Sequence, residues 1–185
     1  MSVYPIPQPS YDTQFLNIND LEIVKQKRLN FIGNPEIIQI NELIIGITNY
    51  ELIHNILSNS VKKNNSNTLD LLLESFLKQR SLMPIIPSII KDDDSRESTI
   101  PVDVKKLNNI HFEVLPDIVI TPFKKVQFAR KNQDTIFINP YKVVNANEEN
   151  QELGSFVNIY LLPPSKNGTK VNKRLIVDKV KISDN

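Results

Sequence analysis

An α/β (α+β) layered sandwich is the fold class this sequence predicts, and three observations predict it. Strand-like runs occupy both halves of the chain, two helical stripes of apolar residues lie between them, and 185 residues with 40% hydrophobic content suffice for one core. Strands with segregated helices argue against a regular βαβ array. No internal repeat is visible. Area scaling lets roughly 70% of the unfolded surface be buried if a chain of this size folds alone.

The elements follow in order. Pro5, Pro7 and Pro9 remove backbone donors and extend the residues before them, so MSVYPIPQPSYD reads as an entry arm. Three short β-like runs come next, from Leu29 to Gly33, Glu36 to Asn41 and Leu43 to Thr48, and two of them read as a hairpin. Thr48 and Glu51 have the spacing of a capping box, and Leu52, Ile53, Ile56 and Leu57 then repeat at helical period. The polar stretch 60–67 reads as a mobile loop. Thr68 can cap a second helix whose buried stripe is Leu69, Leu72, Leu73, Phe76 and Leu77. Pro84 and Pro87 stop helix beyond it, and the charged stretch 91–99, KDDDSREST, has the composition of a solvated, mobile insertion. Four further β candidates run from Phe112 to Thr121, Thr135 to Pro140, Gly154 to Leu162 and Arg174 to Ile182. Asn167-Gly168 is a turn signal between the last two.

Composition excludes several chemistries. Lys+Arg 22 against Asp+Glu 21 leaves a net charge of +1, too little for a global field toward nucleic acid or a membrane. Zero Cys removes disulfides, thiolate zinc sites and cysteine nucleophiles. The apolar runs fall short of a membrane span, and the N-terminus lacks a signal-peptide pattern, so a cytosolic or nuclear address is expected. His54 and His111 have no second ligand at metal spacing and read as surface or packing residues. Asp92, Asp93 and Asp94 are adjacent, mutually repelled acids without preorganisation. Gly33, Gly46, Gly154 and Gly168 are too scattered to cradle a phosphate. Lys124, Lys125, Arg130 and Lys131 around Phe123 and Phe128 could grip a phosphodiester, but a basic helix face with its apolar side buried is the favoured reading. From residue chemistry alone, the chain is an α/β domain without a recognisable active site.

An ordered series of short motifs goes further. Tyr4 to Pro9, Asn34-Pro35 with Ile40-Asn41, Gly46 with Thr48, Gln79-Arg80-Ser81 with Pro84 and Pro87, Pro116-Asp117 with Pro122, and Asn139-Pro140 occur in sequence. This series resembles the C-terminal part of the B-subunit family of DNA polymerase alpha across nearly the whole chain. Two departures stand out: Tyr141 where the family usually has Gly after the late Asn-Pro, and a following Gly-Gly reduced to Gly154 preceded by Leu153.

The resemblance implies a noncatalytic accessory subunit of the DNA polymerase alpha and primase complex, acting at the initiation of DNA replication in the nucleus. It implies the C-terminal portion of a calcineurin-like phosphoesterase fold that lacks metal ligands, spanning 1–185, with the OB domain and N-terminal region absent from this chain. Related archaeal subunits keep a Gly-His-x-His ligand motif after the "PD" strand, where this chain reads Thr121-Pro122-Phe123-Lys124. No catalytic, metal or cofactor residue is therefore expected. The implied partner is the C-terminal region of the catalytic subunit of DNA polymerase alpha, and primase only through it, with DNA contact only within the complex and no membrane contact. Tyr4, Tyr11 and Tyr141 are the candidate anchors, each as readily explained by packing on its own domain. Two other classes stay open: a metal-dependent phosphohydrolase completed by sequence outside this chain, and an autonomous nucleic-acid-binding domain.

Overall fold

The computed structural model describes residues 30–59, 68–85, 88–91, 97–100, 102–103, 105, 110–124, 126–142, 152–164 and 170–183. Within them lie nine strands and two α-helices. β1 (Glu36–Ile40) and β2 (Leu43–Ile47) form an antiparallel hairpin whose two-residue loop opens on Asn41 at φ 53°. Asn tolerates the left-handed region better than most side chains, so this turn was legible. The chain then enters helices α1 (Leu52–Asn59) and α2 (Thr68–Gln79) and a separate hairpin of β3 (Ser88–Lys91) and β4 (Glu97–Ile100). It returns to the main sheet as β5 (Ile118–Ile120), parallel to β2. The antiparallel pair β6 (Phe128–Asn132) and β7 (Thr135–Asn139) completes the sheet, with β7 parallel to β5. The order is β1-β2-β5-β7-β6: three parallel strands with an antiparallel partner at each edge. A long ribbon of β8 (Glu152–Leu161) and β9 (Leu175–Ser183) closes the described chain.

Alternation along the central strands gives the sheet two apolar faces. Val119 of β5 and Phe137 of β7 face the helices, joining Leu52, Ile53 and Ile56 of α1 and Leu72, Leu73, Phe76 and Leu77 of α2. Phe76 sits at the centre of that layer, edge-on to Phe137 at 5.4 Å and tilted against Phe112 at 5.7 Å. Leu43, Ile45, Ile118, Ile136 and Ile138 form the opposite face, against which Val157, Leu175 and Val177 of the ribbon pack. Helices, mixed sheet and ribbon are thus three layers of an α/β fold. Gly46 sits where β2 meets the helix side, because a Cβ there would lie 3.3 Å from Leu82 Cδ2 and 3.7 Å from Val119 Cγ2.

Several expectations change. The capping box at Thr48 does not form: α1 begins at Leu52, Thr48 Oγ1 accepts the N–H of Tyr50 at 3.0 Å, and the Glu51 carboxylate pairs with Lys124 at 3.2 Å. Of the basic segment read as a helix face, Arg130 and Lys131 lie in strand β6, held by its register with β7, Lys124 lies in the loop after β5, and Lys125 lies outside the described residues. The run from Phe112 to Thr121 contributes only three strand residues, because Phe112 bonds back to Arg80 and Asp117 is used to tie two strands together. Residues 30–33 form no strand, and Leu29 lies outside the described residues. The ends of the charged insertion, Lys91 and Glu97 to Thr99, are paired strand residues of the β3–β4 hairpin. Residues 92–96, the loop 60–67 and Asn167-Gly168 lie outside the described residues.

Candidate functional site

The carboxyl ends of parallel strands are where an α/β sheet usually presents its chemistry, because the following loops converge there. Here β2, β5 and β7 run into Thr48-Asn49-Tyr50, Thr121-Pro122-Phe123-Lys124 and Pro140-Tyr141. Asn139, fully buried at the end of β7, dominates the cluster. Its Oδ1 accepts the N–H groups of Phe123 (3.1 Å) and Tyr141 (3.0 Å), and its Nδ2 donates to the carbonyls of Phe123 (2.7 Å) and Val126 (2.5 Å). Every hydrogen-bonding position of the amide is filled. Buried Thr121 donates its hydroxyl to the Tyr50 carbonyl at 3.3 Å and its N–H to Ile138, while the N–H of Thr48 reaches Ile120. Asn34 and Asn49 bond each other through their side-chain amides, and the N–H of Asn49 also reaches Asn34 Oδ1 at 2.9 Å.

Such an arrangement fastens loops and has little left over for catalysis. A nucleophilic hydroxyl needs a base beside it, and a metal centre needs several free ligands. Thr121 faces a carbonyl, and Glu51 is occupied by Lys124. His54 lies on α1, and His111 is exposed with Nδ1 3.3 Å from the Arg80 carbonyl. Among the described residues no three His, Cys, Asp or Glu side chains gather as a metal site would require. Of the three candidate anchors, Tyr141 is at this edge, half-buried at φ 65° with the Lys142 ammonium 5.9 Å from its ring centroid. Tyr4 and Tyr11 lie outside the described residues.

The ribbon offers a different kind of site. Its inward residues Val157, Leu175 and Val177 pack on the sheet, so the alternate positions face away from it. Those positions carry Phe156 (39% exposed), Tyr160 (50%) and, just past the strand, Leu162 (46%), with Ile176 (48%) directly opposite Tyr160. Tyr160, Leu162 and Ile176 therefore form an apolar group presented to solvent, with Phe156 beyond the polar cross-strand pair Asn158 and Asp178. The sequence did carry a signal for it: FVNIYLL and LIV are apolar at both parities, the pattern of strands covered on both faces.

Polar contacts fix where this ribbon starts. Arg174 is nearly fully buried, with Nη2 on the Glu42 carboxylate at the β1–β2 turn and Nη1 donating to the Leu162 carbonyl at 2.7 Å. Beside it, Lys170 and Asn172 both bond Asp134 in the β6–β7 turn. The Lys170 and Asn172 hydrogen bonds, with the charge of Lys170 adding to them, hold the Asp134 carboxyl below its ordinary value of 3.8.

Comparison with known proteins follows the same direction. The sequence model of a family described as the B subunit of DNA polymerase alpha/epsilon matches residues 1–130. The chain is 23% identical over 172 residues to the Drosophila melanogaster protein named as the B subunit of DNA polymerase alpha, covering 93% of this chain and 24% of that protein. It is 27% identical over 148 residues to the Saccharomyces cerevisiae protein of the same name, covering 65% of this chain and 21% of that one. The chain thus spans under a quarter of the length of these curated relatives.

Proposed function

The chain belongs to the B-subunit family of DNA polymerases alpha and epsilon, and we propose on that footing that it serves as a noncatalytic scaffold within a nuclear polymerase alpha and primase complex. In this reading it binds the C-terminal region of the catalytic subunit, meets primase through that contact, and touches DNA only within the assembly. The fold is read as part of a calcineurin-like phosphoesterase sandwich without its metal ligands. Consistent with this, Thr121-Pro122-Phe123-Lys124 occupies the loop after β5, and its Thr and Lys are engaged by Tyr50 and Glu51.

The observation that carries the proposal is the outer face of the β8–β9 ribbon. A protein whose strand-end polar groups are spent on its own loops acts through its surface, and apolar anchors are what stable interfaces between chains centre on. Phe156, Tyr160 and Ile176 are such anchors, and Tyr141, with Tyr4 and Tyr11 outside the described residues, is a further set to test. The experiment is a pull-down in which this chain is the bait and the tagged C-terminal region of the catalytic subunit is the prey. Retention that is lost when Phe156 and Tyr160 become Lys supports the reading, and absence of any retention defeats it. Unchanged binding after Tyr4, Tyr11 and Tyr141 become Ala removes only those anchors. Chelator-sensitive hydrolysis of a phosphodiester in manganese would favour a phosphohydrolase instead.

A further inference from the structure

The two edges of the five-stranded sheet are built differently. β6 carries Arg130 and Lys131, the charged blunting by which natural sheets discourage further pairing. β1, EIIQI, carries one charged residue, Glu36 at its first position, and its terminal Ile40 is 53% exposed. The hydrogen bonds of β2 reveal which groups β1 turns outward. Ile44 donates its N–H to Asp117 Oδ2 (2.9 Å) and accepts the Asp117 N–H on its carbonyl (2.8 Å), so both of its main-chain groups point away from β1. Directly opposed residues in an antiparallel ladder either exchange both bonds or turn both outward. Gln39 is opposite Ile44, and it therefore directs its N–H and C=O to the open side; Ile37, opposite Gly46, does the same.

Gln39 makes no main-chain hydrogen bond to another described residue across that edge. Among the described residues the Ile37 N–H reaches only the carboxylate of neighbouring Glu36, at 3.4 Å, a long contact that a carbonyl at normal distance would displace. Alongside runs a groove of about 290 Å³ lined by Ile37, Ile38, Gln39, Ile44, His111, Phe112, Glu113 and Val114. Its far wall is preformed, since the N–H of Phe112 bonds the Arg80 carbonyl at 3.1 Å and Arg80 Nη1 donates to the Glu113 carbonyl. The volume is at the lower limit of small-molecule pockets, roughly 300 to 1,000 Å³, but suits side chains from alternate positions of one strand. Glu36, whose register partner Ile47 puts it on the opposite face of β1 from Ile37, has no ion pair to any described residue, and the nearby Arg80 is turned onto a carbonyl.

We infer that the β1 edge and its groove accept an extended segment of another protein, adding a strand to the sheet, and that this segment alternates aliphatic with basic residues. The aliphatic side chains enter among Ile37, Ile44 and Phe112, and the alternate, basic ones fall on the other face, where Glu36 lies. This site is separate from the ribbon face and does not depend on its partner. The probe is a short acetylated peptide alternating valine and lysine, titrated into the full chain. Binding is followed by fluorescence anisotropy and by hydrogen exchange of the Gln39 amide. The expected result is saturable binding, a Gln39 amide that exchanges freely before addition and is protected after it, and a roughly tenfold loss of affinity in Glu36→Lys. A control peptide N-methylated at alternate residues keeps the side chains but cannot pair as a strand, and it should not bind. The inference is overturned by failure of the plain peptide to bind or by equal binding of the methylated one. It is overturned equally by a Gln39 amide already protected in the free chain, which would mean that a second copy or this chain's own residues occupy the edge.

Discussion

At the scale of single residues, the decisive side chains are those that replace backbone hydrogen bonds in the loops. Asn139 fills both acceptor and both donor positions of its amide with main-chain groups of Phe123, Val126 and Tyr141. Leucine would approximate the volume but strand those groups in a buried setting, each at about 1 to 3 kcal/mol, so Asn139→Leu should cost about 4 kcal/mol or more. A shift of the urea midpoint measures it, and a loss under about 1 kcal/mol would show that the loops hold without this amide. Asp134 sets a pH dependence. Its folded pKa lies below 3.8, so its contribution is present above that value and is lost as pH falls through the lower, folded pKa. Asp134→Asn should therefore flatten the acid limb of the stability profile below about pH 4 and leave its slope near neutrality unchanged, as read by denaturation at a series of pH values.

At the scale of elements, the ribbon has a buried and an open side set by parity alone, and adjacent residues can test it. Val177 packs on the sheet face formed by Leu43, Ile45, Ile118, Ile136 and Ile138, whereas Ile176 is 48% exposed. Aspartate is a poor strand former at either position, so the difference between the two variants reports burial. Val177→Asp should cost about 2 kcal/mol or more, and Ile176→Asp should stay within about 1 kcal/mol. Equal losses would mean that the ribbon does not pack as described. The helices α1 and α2 could be read directly from their helical spacing, and β1, β2 and β7 as short isoleucine-rich runs bounded by turn residues. β6 was hidden for a local reason: its hairpin places Gln133 at φ 52°, a conformation that Gly or Asn would have advertised, and FARKN shows no clean alternation. The Asn139 knot was half legible. The Asn-Pro pair marked the position, but its hydrogen bonds join loops distant in sequence, which no local pattern encodes. The outer ribbon face was visible in the sequence only as apolar residues at both parities.

At the scale of the whole molecule, three layers leave one apolar surface without a covering layer among the described residues, and the electrostatics do nothing to protect it. A net charge of +1 supplies almost no repulsion between copies near neutral pH. Exposed aromatic and aliphatic side chains grouped on one face offer a contact surface, and at high concentration the nearest partner is another copy. The purified chain should therefore self-associate reversibly through Phe156, Tyr160, Leu162 and Ile176. Tyr160 and Ile176 are register partners across the ribbon, so Tyr160→Glu with Ile176→Lys puts opposite charges side by side while leaving the net charge unchanged. Because both residues are about half exposed and point away from the sheet, the thermal midpoint should barely move. Light scattering should then show the mean mass falling toward the 21.2 kDa of one chain. The same substitutions should abolish capture of the catalytic-subunit region, since one face cannot serve two partners at once. Persistent association in the double variant would mean that copies meet elsewhere, while monomers that still capture the partner would move that contact off the ribbon.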